Sequence, residues 1–502
     1  MSIILTCVCV IIIAFLVHLT RKTRNERFYQ LIEQFPTHPS YYPLLGNAHL
    51  LAGSLEGLLK KKEKLMESYD RLLYWLGPVP ILLLKKCDDI AAVLNQCVER
   101  EDLGIMKEWM GTGMLNAEVE EWKKSRRVIG PAFNSDMLSK YGKIFNEKAA
   151  DLVENLRPAA ENGEEVDVLD FLRHANLDSV VGTSMGISIG DYGKEGEKFS
   201  YSVMETMKQG TKRIQYPWLI QHHIYMIYLK LTGKLQDIAH LQYLPSKIIR
   251  DKMNSIRKSR EKNDSGDEDH VPESMIDLIT RESSRELGFD EIRMRDELLL
   301  MAAGGVETTA LGVSFLMLML AMHQDAQQKA YEEIVELTQD RDFLTENEMN
   351  GHFKFLEKCI KETLRMFSPV MVTTRRTTKE VVLKDEKIIP ANLFVVAFIY
   401  LSNRDPDTFE NPDKWDPENF SEQALEKRSK NSQLNFGVGP RSCIGYKYAM
   451  MSLTAQIVYV LRYYHLTTSI KEFTKDNLKT DLCIRSKIGY PIKLTPRSPA
   501  KR

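Results

Sequence analysis

Thirty-three consecutive residues, Glu291 to His323, constrain this 502-residue chain more than any other stretch. They read EIRMRDELLLMAAGGVETTALGVSFLMLMLAMH, and from Leu298 onward a helix of this sequence is apolar nearly all round. At ~1.5 Å per residue it would be about 50 Å long, enough to cross a whole domain. A helix apolar on every side must be surrounded, so the rest of the chain has to fold as a large body about it. Its middle is too polar for a membrane span. Gly304-Gly305 and Glu307-Thr308-Thr309 interrupt it there. Each glycine costs ~1 kcal/mol relative to alanine inside a helix. The pair serves either close packing against another element or a notch where a ligand approaches the backbone, with a carboxylate and a hydroxyl beside it.

Lys plus Arg is 68 and Asp plus Glu is 69, a net charge of −1, without the basic excess of a nucleic-acid binder. An apolar run from Ile3 to Leu19 is followed by RKTRNER. At ~1.5 Å per residue the run spans about 26 Å, near the thickness of a thin bilayer core. Charges after the run rather than before it favour a retained anchor over a cleaved signal peptide, with the body on the cytoplasmic side. Residues 1–20 are then a transmembrane anchor and 21–43 a basic linker containing Pro36, Pro39 and Pro43. On that side the Asn263-Asp264-Ser265 and Asn419-Phe420-Ser421 triplets would stay unglycosylated. Seven cysteines make no disulfide framework and suit a reducing compartment.

The body reads as mainly α-helical with a small β component. Amphipathic helices are predicted at Lys140–Leu156 and Ala449–Tyr463, and short strands at Val79–Leu84, Glu380–Ile389 and Leu393–Phe398. Lys258 to Ser274 is charged and carries Pro and Gly, which predicts an exposed loop. The Gly186-Ile187-Ser188-Ile189-Gly190 run matches a hydrolase nucleophile turn, but that motif needs a strand before it and a helix after it, and a turn-like Asp-Tyr-Gly follows.

One cysteine carries a chemical signature. Phe436-Gly437-Val438-Gly439-Pro440-Arg441-Ser442-Cys443-Ile444-Gly445 precedes an amphipathic helix. Glycines permit a tight loop, and a cysteine at a helix N-terminus beside an arginine has its thiolate favoured. No second Cys or His stands nearby at zinc spacing. A lone thiolate in a glycine loop suits a metal whose other positions are filled by a macrocycle, namely haem iron.

The pattern Phe-x-x-Gly-x-Arg-x-Cys-x-Gly resembles the haem-binding loop of the cytochrome P-450 superfamily. Other family marks follow in order: Trp122-x-x-x-Arg126, Gly304 to Thr309, Glu362-x-x-Arg365, Arg375 and Asp416-Pro417-Glu418-Asn419-Phe420. The resemblance implies the P-450 fold over residues 44–496, with 497–502 as a tail. It implies haem b with Cys443 as axial ligand, Phe436 packed beside the thiolate, and Trp122, Arg126, Arg375 and Arg441 on the haem propionates. It further implies Thr308 and Glu307 as the pair serving oxygen and proton delivery, and Glu362 with Arg365 as a buried brace.

WKKSRRVIGPAF, from Trp122 to Phe133, resembles the fatty-acid ω-hydroxylase clan and its insect relatives. Many members of that clan carry a glutamate that esterifies the haem. Gly304 stands at that position here, so no covalent bond through it is expected. Asn419 replaces the arginine that usually completes the brace, which must then be weaker or reorganised, and Asn403 replaces a common histidine. The implied activity is a monooxygenase of the endoplasmic reticulum membrane. It would act on a lipophilic small molecule (fatty acid, hormone or xenobiotic) with electrons from NADPH-cytochrome P-450 reductase and cytochrome b5. The alternative is a haem-thiolate sensing protein without turnover. Substrate contacts are expected from Leu103–Glu118, Tyr201–Tyr228, Val370–Thr374 and Leu482–Lys487.

Overall fold

The structure is a computed structural model describing residues 26–42, 45–51, 55–100, 104–261, 273–283, 289–339, 341–480 and 482–497. The predicted anchor, residues 21–25 and 43 of the basic linker, residues 262–272 of the predicted loop and nearly all of the tail lie outside the described residues. Contacts group the chain into two units. One takes residues up to 101 with 370–412 and 422–443; the other takes 102–369, 413–421 and 444 onward.

The first unit is built on a four-stranded sheet of β1 (Arg71–Leu76), β2 (Val79–Leu84), β3 (Val372–Arg376) and β4 (Phe394–Phe398), in spatial order β1-β2-β4-β3. β1 and β2 form a hairpin pairing Leu76 with Val79, β2 runs parallel to β4, and β4 runs antiparallel to β3. Ile81 to Leu84 are buried without a break, as expected of a strand flanked on both edges and covered on both faces. The helix α1 (Cys87–Gln96) packs Ile90, Val93 and Leu94 into the same core as Leu82, Leu84 and Val395. The stretch expected as one strand, Glu380–Ile389, folds back on itself instead. Val381–Val382 pairs with Ile388–Ile389. The polar Lys384-Asp385-Glu386 tip reverses the chain, with Glu386 at φ +66°.

The second unit is helical. Its main members are α2 (Val119–Ile129), α3 (Ser135–Asn162), α4 (Leu169–Met185), α5 (Gly193–Gln215), α6 (Glu291–Met322), α7 (Lys354–Met366) and α8 (Tyr446–Tyr463). Caps fix their ends. The Asn134 side chain accepts the Met137 N–H at the start of α3, and Gly163 ends it at φ +65°. Asp290 caps α6 by accepting the Arg293 N–H at 2.7 Å. A small sheet joins Glu165–Asp167, Pro491–Pro496 and Tyr464–Thr467.

α6 matches its predicted span to within one residue and is buried as its composition requires. Its most extensive neighbour is α4. Leu298, Leu299, Leu311, Val313, Phe315, Leu316 and Leu318 are each at most 1% exposed. Burying such a side chain stabilises by ~1.5–3 kcal/mol, so α6 is the main cohesive element of its unit. The predicted exposed loop begins later than expected, because helix Leu235–Glu261 continues through residues 258–261. Lys258, Arg260 and Glu261 are good helix formers and extend the helix rather than break it. The hydrolase-like motif is excluded as a nucleophile turn: a helix ends at Met185, Gly186 caps it at φ +69°, and a short 3-10 turn follows.

Candidate functional site

The cysteine loop belongs to the first unit and is shaped by backbone geometry. Gly437 and Gly439 sit at φ +67° and +76°, values that side chains other than glycine rarely adopt. The Gly437 N–H donates to Leu434 O and the Cys443 N–H to Phe436 O, both at 2.8 Å. Gly439 needs glycine for a second reason. A Cβ there would lie 2.4 Å from Leu94 O and 2.8 Å from Asn95 Cα, at the end of α1. The turns bring Cys443 out to an exposed position, whereas Cys87, Cys97, Cys359 and Cys483 are buried. Burial pushes the Cys87, Cys97 and Cys359 thiols up, away from the reactive thiolate form. Cys443 is thus the accessible thiol among the described cysteines.

The same unit gathers positive charge. Arg375 projects from β3 and is 3% exposed. It donates to Cys97 O at 3.0 Å, Thr374 O at 2.7 Å and Thr373 Oγ1 at 3.2 Å, all neutral acceptors. Burial, with the charges of Arg100 and Arg441, pushes its pKa down to about 9. Arg441 donates to Val98 O at 3.0 Å. No salt bridge joins Arg375 to a carboxylate among the described residues. A buried guanidinium surrounded by cations calls for an anion, and a dianionic haem edge suits it. The exposed thiol and this cationic cluster therefore fit a haem group.

In the second unit, α2 carries Trp122, buried, and Arg126, half-buried, one helical turn apart on one face. α6 carries the clearest feature. From Asp296 to Ala321 every residue is buried except Met301, Gly304, Gly305 and Thr308. These occupy positions i, i+3, i+4 and i+7, so they form one stripe on one face of an otherwise enclosed helix. The two glycines divide the roles the sequence left open. A Cβ on Gly305 would stand 2.8 Å from Val180 Cγ2 of α4, so Gly305 permits helix packing. A Cβ on Gly304 would meet nothing within 4 Å, so Gly304 leaves the helix surface open. The Thr308 hydroxyl donates to Gly304 O at 2.7 Å, which fixes its oxygen on that open face.

Glu307 points elsewhere. Its carboxylate is buried and receives two bonds from Arg173 of α4, both at 2.9 Å, with Arg485 at 3.0 Å from Oε1. Against the opposing effect of burial, the bonds to Glu307 and Asp170 hold Arg173 above its ordinary value. Neither arginine was identifiable from sequence, because both lie far away in the chain without a motif. Glu362 and Arg365 form the expected buried pair, with Nε–Oε2 at 2.7 Å and Nη2–Oε1 at 2.8 Å. Asn419 takes part: its amide donates to Glu362 Oε1 at 3.0 Å, and the Asp416 N–H donates to the same oxygen at 2.8 Å. The brace is reorganised around neutral donors. Three of the four segments expected to contact substrate also meet, since a Cβ on Gly210 would lie 2.4 Å from Met106 Sδ and 2.5 Å from Leu482 Cδ1. Arg213, 1% exposed, joins two of them by donating to Gly104 O, Ile105 O and Leu219 O while stacking on Tyr225.

A family model described as Cytochrome P450 matches residues 36–493. A human protein named ultra-long-chain fatty acid omega-hydroxylase is 28% identical over 93% of this chain and 89% of its own length. A leukotriene-B4 omega-hydroxylase 3 from Mus musculus is 26% identical, over 94% of this chain and 91% of its own. Cytochrome P450 4g1 from Drosophila melanogaster is also 26% identical, with the same coverage.

Proposed function

The chain belongs to the cytochrome P450 family and is a P450 monooxygenase, and from that premise we propose that it hydroxylates a long-chain lipid, with a fatty acid as the first substrate to test. The observation that carries this reading is the stripe of Met301, Gly304, Gly305 and Thr308, open on a helix buried everywhere else along its core. It offers an elongated apolar molecule a smooth backbone surface ending at a hydroxyl. One relative is named as an omega-hydroxylase of ultra-long-chain fatty acid and another as one of leukotriene B4, which supports the same class.

Haem with thiolate ligation supplies the activation of molecular oxygen in this family. The chain's own residues would do the rest. Cys443 offers the thiolate from a loop whose glycines hold it outward. Phe436, whose carbonyl ties down the Cys443 N–H, would pack beside it. Arg375 and Arg441, with Trp122 and Arg126 of α2, would hold the propionates by charge-assisted hydrogen bonds. Gly304 has no carboxylate to form an ester, so haem b would be held without a covalent link there. Thr308 would hold a proton at Oγ1 on the open face. Glu307 would serve as the acid behind it, its position set by Arg173 and Arg485.

Electrons would come from NADPH-cytochrome P450 reductase, with cytochrome b5 as a second donor, and the N-terminal apolar run would anchor the enzyme in the endoplasmic reticulum membrane. The test is the full-length protein reconstituted with reductase and NADPH against a panel of saturated fatty acids, sterols and drug-like compounds. Hydroxylated fatty acid as the dominant product supports the reading. Turnover confined to sterols or drug-like compounds refutes the substrate class, and a thiolate-type carbon-monoxide spectrum with no turnover on any compound refutes the enzymatic reading.

A further inference from the structure

Glu297 lies two helical turns before Gly304, on the face that also carries Met301 and Thr308. It is fully buried where the three residues after it on that face are not. What covers it is the 111–114 turn. The Met114 N–H donates to Glu297 Oε2 at 2.9 Å, and the Thr112 N–H donates to Asp296 Oδ2 at 2.9 Å. The turn is seated directly on the helix: a Cβ on Gly113 would stand 2.9 Å from Asp296 O and 3.4 Å from Glu297 Oε2. Two consecutive carboxylates of α6 thus hold one backbone turn.

The other side of Glu297 is also built. Arg293 Nε lies 3.2 Å from Oε1 and reaches on to Ser125 Oγ and Glu121 O of α2. Burial raises the Glu297 carboxyl, against the Ser125 hydroxyl, the Met114 N–H and Arg293, with the Asp296 charge adding to the rise. With Oε2 hydrogen-bonded to the turn and Oε1 held, among the described residues, by the Arg293 ion pair alone, the buried carboxylate keeps a fixed rotamer, and it holds the turn with it. From Glu297 to Thr308 the helix rises about 16 Å at ~1.5 Å per residue. The far end of the stripe is covered too, since a Cβ on Gly312 would stand 3.1 Å from Leu453 Cδ2 and 3.4 Å from Leu364 Cδ2.

We propose that Glu297 is a positioning residue that fixes the 111–114 turn as the end wall of the open stripe, and so limits how far an elongated ligand can extend from Thr308 along α6. The inference deepens the lipid reading above and rests on Thr308 marking the reactive end. In this arrangement the turn contacts the remote end of the chain, and Glu297 acts through it without touching the reacting carbon.

The experiment uses a series of n-alkylimidazoles, from propyl to dodecyl, whose ring nitrogen binds haem iron whatever the natural substrate is. Affinity is read from the nitrogen-ligand shift in the absorption spectrum of the haem-loaded full-length protein. In the wild type, affinity should rise about fourfold per added methylene as each is buried, then level off where the tail meets the turn. Glu297→Ala releases the turn, and Gly113→Ala lifts it from α6 without altering Glu297. Both should move the plateau to longer tails, while Glu297→Gln, which keeps an acceptor for the Met114 N–H, should restore the wild-type plateau. A plateau at the wild-type length in both alanine variants, with wild-type carbon-monoxide spectra, overturns the proposal. If Glu297→Ala does not retain haem, Gly113→Ala decides alone. Absence of any nitrogen-ligand shift in the wild type would instead defeat the site reading, and this inference with it.

Discussion

The cysteine loop and the open stripe of α6 build function in opposite ways. In the loop, backbone geometry comes first: Gly437 and Gly439 adopt conformations that other residues rarely take, Gly439 has no room for a Cβ, and Cys443 is turned outward as a result. On α6 the backbone is an ordinary helix, and function lies in what the side chains omit. Gly304 leaves the helix surface open, and the Thr308 hydroxyl bonds back to the Gly304 carbonyl on the same face. A loop built on disfavoured backbone conformations, with no room for a Cβ at Gly439, should lose stability on substitution. Where the helix is left open, at Gly304, substitution should be tolerated structurally and suffer only chemically.

That contrast can be broken by mutation, the largest effects falling on the loop. Cys443→Ser should abolish the thiolate-type carbon-monoxide spectrum and all turnover; retention of both would place the ligand elsewhere. Gly439→Ala demands a strained φ and meets backbone atoms, so it should cost ~1–3 kcal/mol for the strain alone. Thermal unfolding and the rate of haem loss to a scavenger protein read that effect. Gly305→Ala, with Val180 Cγ2 at 2.8 Å, should cost ~1–3 kcal/mol as an overpacked core position, visible as a lowered denaturant midpoint with the carbon-monoxide spectrum intact. Gly304→Ala is the smallest and most telling. It meets no atom and replaces a helical glycine, so it should stabilise by ~0.5–1 kcal/mol while weakening ligand binding on the open face. Destabilisation by Gly304→Ala would show that the two glycines share one packing role, and the contrast would fail.

The legibility of the two regions from sequence follows the same physics. The loop was readable because fixed backbone demands leave fixed residues, Phe436 through Gly445, at fixed spacing. α6 was readable as a buried helix from its largely apolar composition on all sides after Leu298, and its span from Glu291 was right to within one residue. The division of labour between Gly304 and Gly305 was not readable, because it depends on where Val180 lies across the helix pair. The partners of Glu307 were hidden for the same reason, since Arg173 and Arg485 are more than a hundred residues away and carry no local pattern. Asp296 and Glu297 read as part of the polar opening of α6, and only the 111–114 turn seated on them gives them a role. The strand Arg71–Leu76 was missed because RLLYWL is a short apolar run without alternation, ambiguous between helix and strand. The small sheet therefore came out less complete in the reading than the helices did.

The most direct test of the account is the fraction of NADPH consumption that appears as hydroxylated product, compared between wild type and Thr308→Ala under reductase-driven turnover. The account predicts that Thr308→Ala keeps haem, a thiolate-type carbon-monoxide spectrum and substrate binding. It also predicts that product per NADPH falls by ~10²-fold or more, in the range expected for loss of a positioned proton-transfer group. Unchanged product per NADPH in Thr308→Ala would show that the open face of α6 is not where oxygen is handled.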